Sequence, residues 1–245
     1  MVDFERLLRP NPFSGDDGGV QPQMAAALEL RDPAQRQEAL VAALGTGRVF
    51  VPVQAHAHPG VDAGDVAEHD SHNPDKVALE EASQLSVSAP GGLRAMPVFS
   101  SAASLTAFDP GARPVPLLGR NAAAQALLHT GLLALDPVGS QELGGDYVGR
   151  SGVLAIAADE AWLAPWIDPQ IPMRLEHSLT ECEAAQDVRV LAGRQGVVRI
   201  AIVISDFAGA EAAREAVQRV THALQSDDYL KSHLDLVEIV PVRRA

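Results

Sequence analysis

Val197-Val-Arg-Ile-Ala-Ile-Val-Ile204 decides the fold class of this chain. Six of its eight residues are β-branched, a composition that packs well on a pleated sheet and crowds an α-helix. Only Arg199 could mark a wet face, so the stretch is expected to be a central strand covered on both sides. Downstream, Asp206 is placed to cap a helix whose Ala213, Val217, Val220 and Leu224 recur on one face, opposite Arg214 and Arg219. Leu234-Asp-Leu-Val-Glu-Ile-Val-Pro-Val242 follows as a closing strand. Upstream, Val188-Arg-Val-Leu191 and Val153-Leu-Ala-Ile156 read as further strands of the same half. Strands interleaved with helices make the chain an α/β (α+β) protein.

The first half has its own pattern. Asp32-Pro-Ala-Gln35 starts a helix, with Asp32 as cap, Pro33 in the first turn and Gln35 where a capping-box partner sits. Leu40, Ala43 and Leu44 form its apolar stripe, and Gly45 and Gly47 end it. In Arg48-Val-Phe-Val-Pro-Val53 the valines 49, 51 and 53 share a face, and Pro52, lacking an amide hydrogen, places this strand at an edge or a bulge. Gln84-Leu-Ser-Val-Ser88, the turn Pro90-Gly-Gly92 and Leu93-Arg-Ala-Met-Pro-Val-Phe99 form a hairpin. Ser100 or Ser101 caps a short helix carrying Leu105 and Phe108. Asn121 caps another that runs through Leu127 and Leu128 to Gly131, and Leu132-Leu-Ala-Leu135 is a buried strand stopped by Asp136-Pro137.

Residues 137–152 hold five glycines and little apolar content, which sets the expected boundary. The chain then divides into a flexible tail at 1–21, a domain at 22–140 and a domain at 150–245. Each domain is a small mixed sheet covered by helices.

The pieces of the first half resemble the N-terminal domain of the SseB family, named for enhanced serine sensitivity. The resemblance rests on the helix ending at Leu44-Gly45, on Arg48-Val-Phe-Val-Pro-Val53 and on Met96-Pro-Val-Phe-Ser-Ser101. Phe108-Asp109-Pro110 and Leu133-Ala-Leu-Asp-Pro137 complete it, over roughly residues 33–140. The second half is similar to the C-terminal part of the same family in its long strand, helix and final Leu234-Asp-Leu236 segment. The resemblance implies a two-part α/β fold and no catalytic residues that could be carried over. The loop at 54–78 is particular to this chain.

Composition narrows the partners. The formal net charge is −13, with 47% hydrophobic and 4% aromatic residues. An acidic surface repels phosphate backbones and anionic lipid, so neither nucleic acid nor membrane is an expected partner. The basic residues are mainly arginine, scattered along the chain. No stretch approaches the roughly 18 apolar residues of a membrane span, the N-terminus lacks the pattern of a signal peptide, and a lone Cys182 forms no internal disulfide. Together these place the protein in the cytoplasm.

Chemical motifs are few. Gly45-Thr-Gly47 closes a helix and precedes a strand, whereas a dinucleotide fingerprint follows a strand and opens a helix. Neither a Gly-Lys-Ser/Thr phosphate loop nor a Gly-x-Ser-x-Gly elbow occurs. Cys182 sits between Glu181 and Glu183, whose charges oppose a thiolate. Trp162 and Trp166, in Trp-Leu-Ala-Pro-Trp, either anchor a partner or plug the junction between the halves, and the plug is the favoured of the two. The only weak metal candidates are His56, His58, His69 and His72, interleaved with Asp62, Asp65, Glu68 and Asp70. Their spacing fixes no coordination geometry, so a solvated acidic loop is preferred, with no metal, no cofactor and no catalytic residue assigned. The function expected is a non-catalytic module binding another protein or a small ligand. The alternative is an enzyme with a site between the two halves.

Overall fold

A computed structural model of the chain describes residues 13–54 and 85–243. Two helices, α1 (Pro22–Glu29) and α2 (Pro33–Thr46), come first, and the second starts as its sequence dictates. Asp32 accepts a hydrogen bond from the Gln35 amide at 2.9 Å, and Leu40, Ala43 and Leu44 are buried. Strand β1 (Arg48–Gln54) follows, then the hairpin β2 (Val87–Ala89) and β3 (Leu93–Val98), and helix α3 (Ala102–Phe108) capped by Ser101. Next come β4 (Ala112–Leu118), α4 (Gly119–His129), β5 (Leu133–Leu135), β6 (Asp146–Val148) and α5 (Arg150–Ala158). The second half comprises α6 (Gln170–Ser178), β7 (Ala185–Ala192), β8 (Val198–Ile204), α7 (Ala210–Ser226), α8 (Asp228–His233) and β9 (Val237–Arg243).

Three sheets result: an antiparallel pair β1-β4, a mixed sheet ordered β2-β3-β5-β6, and a mixed sheet ordered β7-β8-β9. β1 reaches the second sheet through a single bridge, in which Phe50 and Phe99 exchange both backbone bonds at 2.8 and 2.9 Å. Because Phe50 spends its amide on Phe99, alternate positions of β1 and their partners turn their amides away from the β1-β4 ladder. Pro52, Pro114 and Pro116 all fall there, as Pro52↔Pro114 and Phe50↔Pro116 pairs, so no ladder bond is lost. Two prolines in seven residues hide β4 from sequence inspection for the same reason that the fold accepts them.

One face of the first-half strands packs under α1, α2, α4 and α5 through Leu40, Leu44, Val51, Val98, Leu133 and Val153. In the second half, Ile200 and Ile202 of β8 meet Ile171 and Leu175 of α6 and Ala216 and Val220 of α7. β8 is central, as expected, but among the described residues helices cover only one of its faces. Its other face presents Ala201 and Val203, which the neighbouring strands alone keep buried. The α7 stripe is likewise shifted: Ala216, Val220 and Ala223 are buried, whereas Ala213, Val217 and Leu224 pack at the margin, and the helix starts at Ala210 behind Gly209 instead of near Asp206.

Other expectations need correction. Val153-Leu-Ala-Ile156 is part of helix α5, with Val153 and Ile156 buried one turn apart and Leu154 45% exposed; a four-residue apolar run does not distinguish strand from helix. Helix α4 begins at Gly119 behind Leu118, not at Asn121, and buries Ala122, Ala123 and Ala126 while Leu128 is exposed. Residues 137–152 are no bare linker: Asp146–Val148 is a fully buried strand, and Asp146 takes a bidentate pair from Arg36 of α2 at 3.1 and 2.6 Å. α5 packs on α2 and α4, so the first half's architecture continues to about residue 158.

Of the residues expected to form a tail, 13–21 are described, and Arg48 holds them through Asp16, Gly19 and Gln21. That guanidinium is buried, stacks 4.2 Å over Phe50, and donates to Asp16, to the Gly19 carbonyl at 2.6 Å and to the Ser100 carbonyl at 2.9 Å. The hydrogen bond from Arg48, aided by the Gly18 amide, holds the Asp16 carboxyl at about 2 against desolvation. A carboxylate depressed in the folded state contributes stability above the unfolded pKa near 4 and loses it as pH falls from about 4 to 2. With water screening at this exposed residue allowed for, the contribution is about 1–2 kcal/mol. Urea midpoints measured at pH 5 and pH 2.5 should therefore fall further for the parent than for Asp16→Asn, and equal falls would remove Asp16 as a source of acid sensitivity.

Candidate functional site at the junction of the two halves

Helix periodicity builds the site. Glu38, Val41, Ala42 and Gly45 recur along one side of α2, and Ala155 and Ile156 face them from α5. α5 ends at Asp159, which adopts the left-handed conformation at φ 56°, tolerated by a short polar side chain. The chain then turns back through Glu160 and Trp162 to Ile167 and closes a groove of about 420 Å³. Its floor is apolar, and Ile167 stands 57% exposed at its edge.

The tryptophans hold this region together. Trp162 packs against the first-half core and donates from Nε1 to Ser151 Oγ at 3.2 Å. Trp166 packs against the second-half core and donates from Nε1 to Glu38 Oε1 at 2.8 Å. Their rings meet edge to face, 5.4 Å apart at 90°. Each tryptophan thus belongs to one core and touches the other tryptophan, which is the junction plug expected of them. Trp162 also lines the groove, so the plug and the groove share one residue.

Deeper in the junction, the two halves interlock. Leu236 of the second half is buried among Ala95, Ala134 and Tyr147 of the first. Asp235 of the second half accepts from the Arg150 amide at 2.7 Å, and within the first half Gln37 donates from Nε2 to the Tyr147 carbonyl at 2.7 Å.

The groove's charges have one sign. Glu38, Asp159 and Glu160 stand around it, and among the described residues no lysine, arginine or histidine lines it. Two helix C-termini, those of α2 and α5, also end here, and neither has a basic residue in its last turn. Exposed carbonyls at a helix end carry partial negative charge, so they add to the carboxylates. Asp227 is held low chiefly by the Leu230 amide, with help from Arg174. Tyr229 is pushed up by its hydrogen bond to Asp168, and Arg36 and Arg219 are raised by hydrogen bonds to Asp146 and Glu215.

His56, His58, His69 and His72 lie outside the described residues. Among the described residues no three His, Cys, Asp or Glu side chains are grouped to hold a metal ion. Cys182 is buried in the second core, and α2 runs on through Gly45 and Thr46 to be closed by Gly47 alone, whose amide bonds to the Ala43 carbonyl at 2.9 Å. Glu38, Asp159, Glu160 and Ile167 were not singled out by the sequence. The available signal was the pair of tryptophans directly after Asp159-Glu160, in a chain with few aromatics.

The family of the SseB protein N-terminal domain matches residues 22–144, half of the chain. The protein belongs to that family. No curated protein and no solved structure matches the chain. The match stops two residues before β6, so the second half and the α5 wall of the groove lie outside it.

Proposed function

We propose that this SseB-family protein is a non-catalytic cytoplasmic binding module whose partner is another protein, held in the groove between α2 and α5. The observation that carries the proposal is the apolar groove at the junction, floored by Val41 and Ile156 and edged by Trp162 and the exposed Ile167. An isoleucine 57% exposed beside a fixed, half-buried tryptophan at the mouth of an apolar concavity is characteristic of surfaces that a partner covers. Against a nucleic-acid or anionic-lipid partner stands the charge, −13 over the chain and wholly carboxylate around the groove. Among the described residues no helix is long and apolar enough to cross a membrane.

The reading as an enzyme would require a nucleophile or acid–base pair converging on one point. Here Glu38 is engaged with Trp166, and Asp159 and Glu160 are exposed on the groove's outer side. The test is site-specific photo-crosslinking in cells. A photoreactive side chain at position 167 should give a discrete protein adduct, absent when the same group stands at Arg214 on the exposed side of α7. Adducts of equal yield at both positions, or none at 167, would overturn the proposal.

A further inference from the structure

We infer that the segment seated in this groove is cationic and amphipathic, a helix or strand that sets leucine-like side chains against the floor and lysine or arginine against the rim. The inference rests on the binding-module reading above and adds the chemistry of the partner. Its basis is charge complementarity at an apolar groove. The apolar surface it offers is Ile167, 57% exposed, and the half-buried Trp162, set over a floor of Val41 and Ile156 that is itself nearly closed, and only apolar side chains could match it. Glu38 uses one oxygen to accept from Trp166 Nε1, which leaves the other free to accept from a partner. Asp159 and Glu160 stand at the C-terminal end of α5, where a negative side chain meets the negative end of the helix dipole. Neither helix ending at the groove supplies a cation in its last turn, and among the described residues none lines the groove. Three carboxylates and two helix ends of like sign repel one another until an outside cation arrives. A lysine or arginine at the rim would relieve that repulsion while its apolar neighbours displace water from the floor. An anionic or purely apolar segment would meet the same field without relief.

The measurement is direct, because Trp162 and Trp166 are the chain's only tryptophans, so selectively excited tryptophan emission reports this region. Three synthetic peptides are titrated into the full chain. One places leucine at helical spacing among lysines. The second has the same composition with the leucine stripe scrambled, and the third keeps the stripe with glutamate for lysine. The first should saturate the emission change and bind at least about tenfold tighter than the other two, weakening as salt rises. The combined variant Glu38→Gln, Asp159→Asn, Glu160→Gln keeps the acceptor for Trp166 and a residue suited to the left-handed turn. It should bind the first peptide about tenfold more weakly while melting like the parent. Equal binding of the scrambled peptide, or of the glutamate peptide, overturns the cationic amphipathic partner; if the adduct at position 167 persists, the binding-module reading stands. Self-association that disappears in Ile167→Asp would make a second copy the occupant and overturn the inference. Absence of both peptide binding and adduct removes the inference and the reading together.

Discussion

A chain carrying Gly196→Ala should melt about 6–12 °C below the parent, the shift expected in a protein of this size for a loss of about 3 kcal/mol. Arg194-Gln-Gly-Val197 is the turn between β7 and β8, closed by the Val197 amide on the Arg194 carbonyl at 3.1 Å. Gln195 at φ 55° and Gly196 at φ 78° are both left-handed, the pairing that a two-residue hairpin of right-handed twist demands. The turn is also a contact between the halves. A Cβ on Gly196 would lie 1.9 Å from the Tyr147 carbonyl oxygen and 3.1 Å from Gln37 Nε2. Neither partner can retreat cheaply, since Tyr147 is in a buried strand and its carbonyl accepts from Gln37. The methyl group therefore has to push the β7-β8 turn off the first half, exposing Leu236 and the surface it covers. Gly45→Ala is the control: it lies within α2 and a Cβ there meets nothing within 4 Å. That change should leave stability unchanged or raise it by less than about 1 kcal/mol. Equal melting of Gly196→Ala and Gly45→Ala would mean that the turn does not bear on the junction.

What the sequence made legible follows from the range of the signals. β8, helix α2 and the β2–β3 hairpin carry their own punctuation: a β-branched run, an Asp-Pro start, a Pro-Gly-Gly turn. β4 and α6 do not. Pro114 and Pro116 argue against a strand until the amide directions of β1 are known, and Pro172 sits inside the first turn of α6, where a missing amide costs nothing. The α5 segment was lost because four apolar residues fit either period. The groove was beyond reach for a different reason. Glu38 and Trp166 are 128 residues apart, and no local pattern announces that a helix flank and a loop will meet. The tryptophans could be flagged because rare aromatics are informative alone. Their carboxylate neighbours, in a chain this acidic, are not.

The division of the chain yields the largest effect of all: a fragment ending near residue 140 should not fold. It would lack β6 and α5, and with them Tyr147, Val148, Val153 and Ile156, each buried to within 2%. Burying such side chains contributes about 1.5–3 kcal/mol apiece, hence about 6–12 kcal/mol together. That is comparable to the whole stability of an ordinary domain, about 5–15 kcal/mol. Arg36 would also lose Asp146, leaving its half-buried guanidinium without the carboxylate that now pairs with it. A chain continued to about residue 160 keeps all of these and ends in the exposed stretch after α5. It still uncovers the face on which Leu236 sits, so it should melt cooperatively but below the full protein. Circular dichroism through a thermal ramp separates the cases: a sigmoidal transition for the longer fragment, a featureless slope or precipitation for the shorter. A cooperative, native-like transition in the fragment 22–140 would place the boundary where the glycines are and make β6 and α5 an appendage. The opposite outcome makes residues 141–158 part of the first domain's own core. The groove between α2 and α5 would then be chiefly a property of that domain, with the segment after α5 supplying Trp162 and the Ile167 rim.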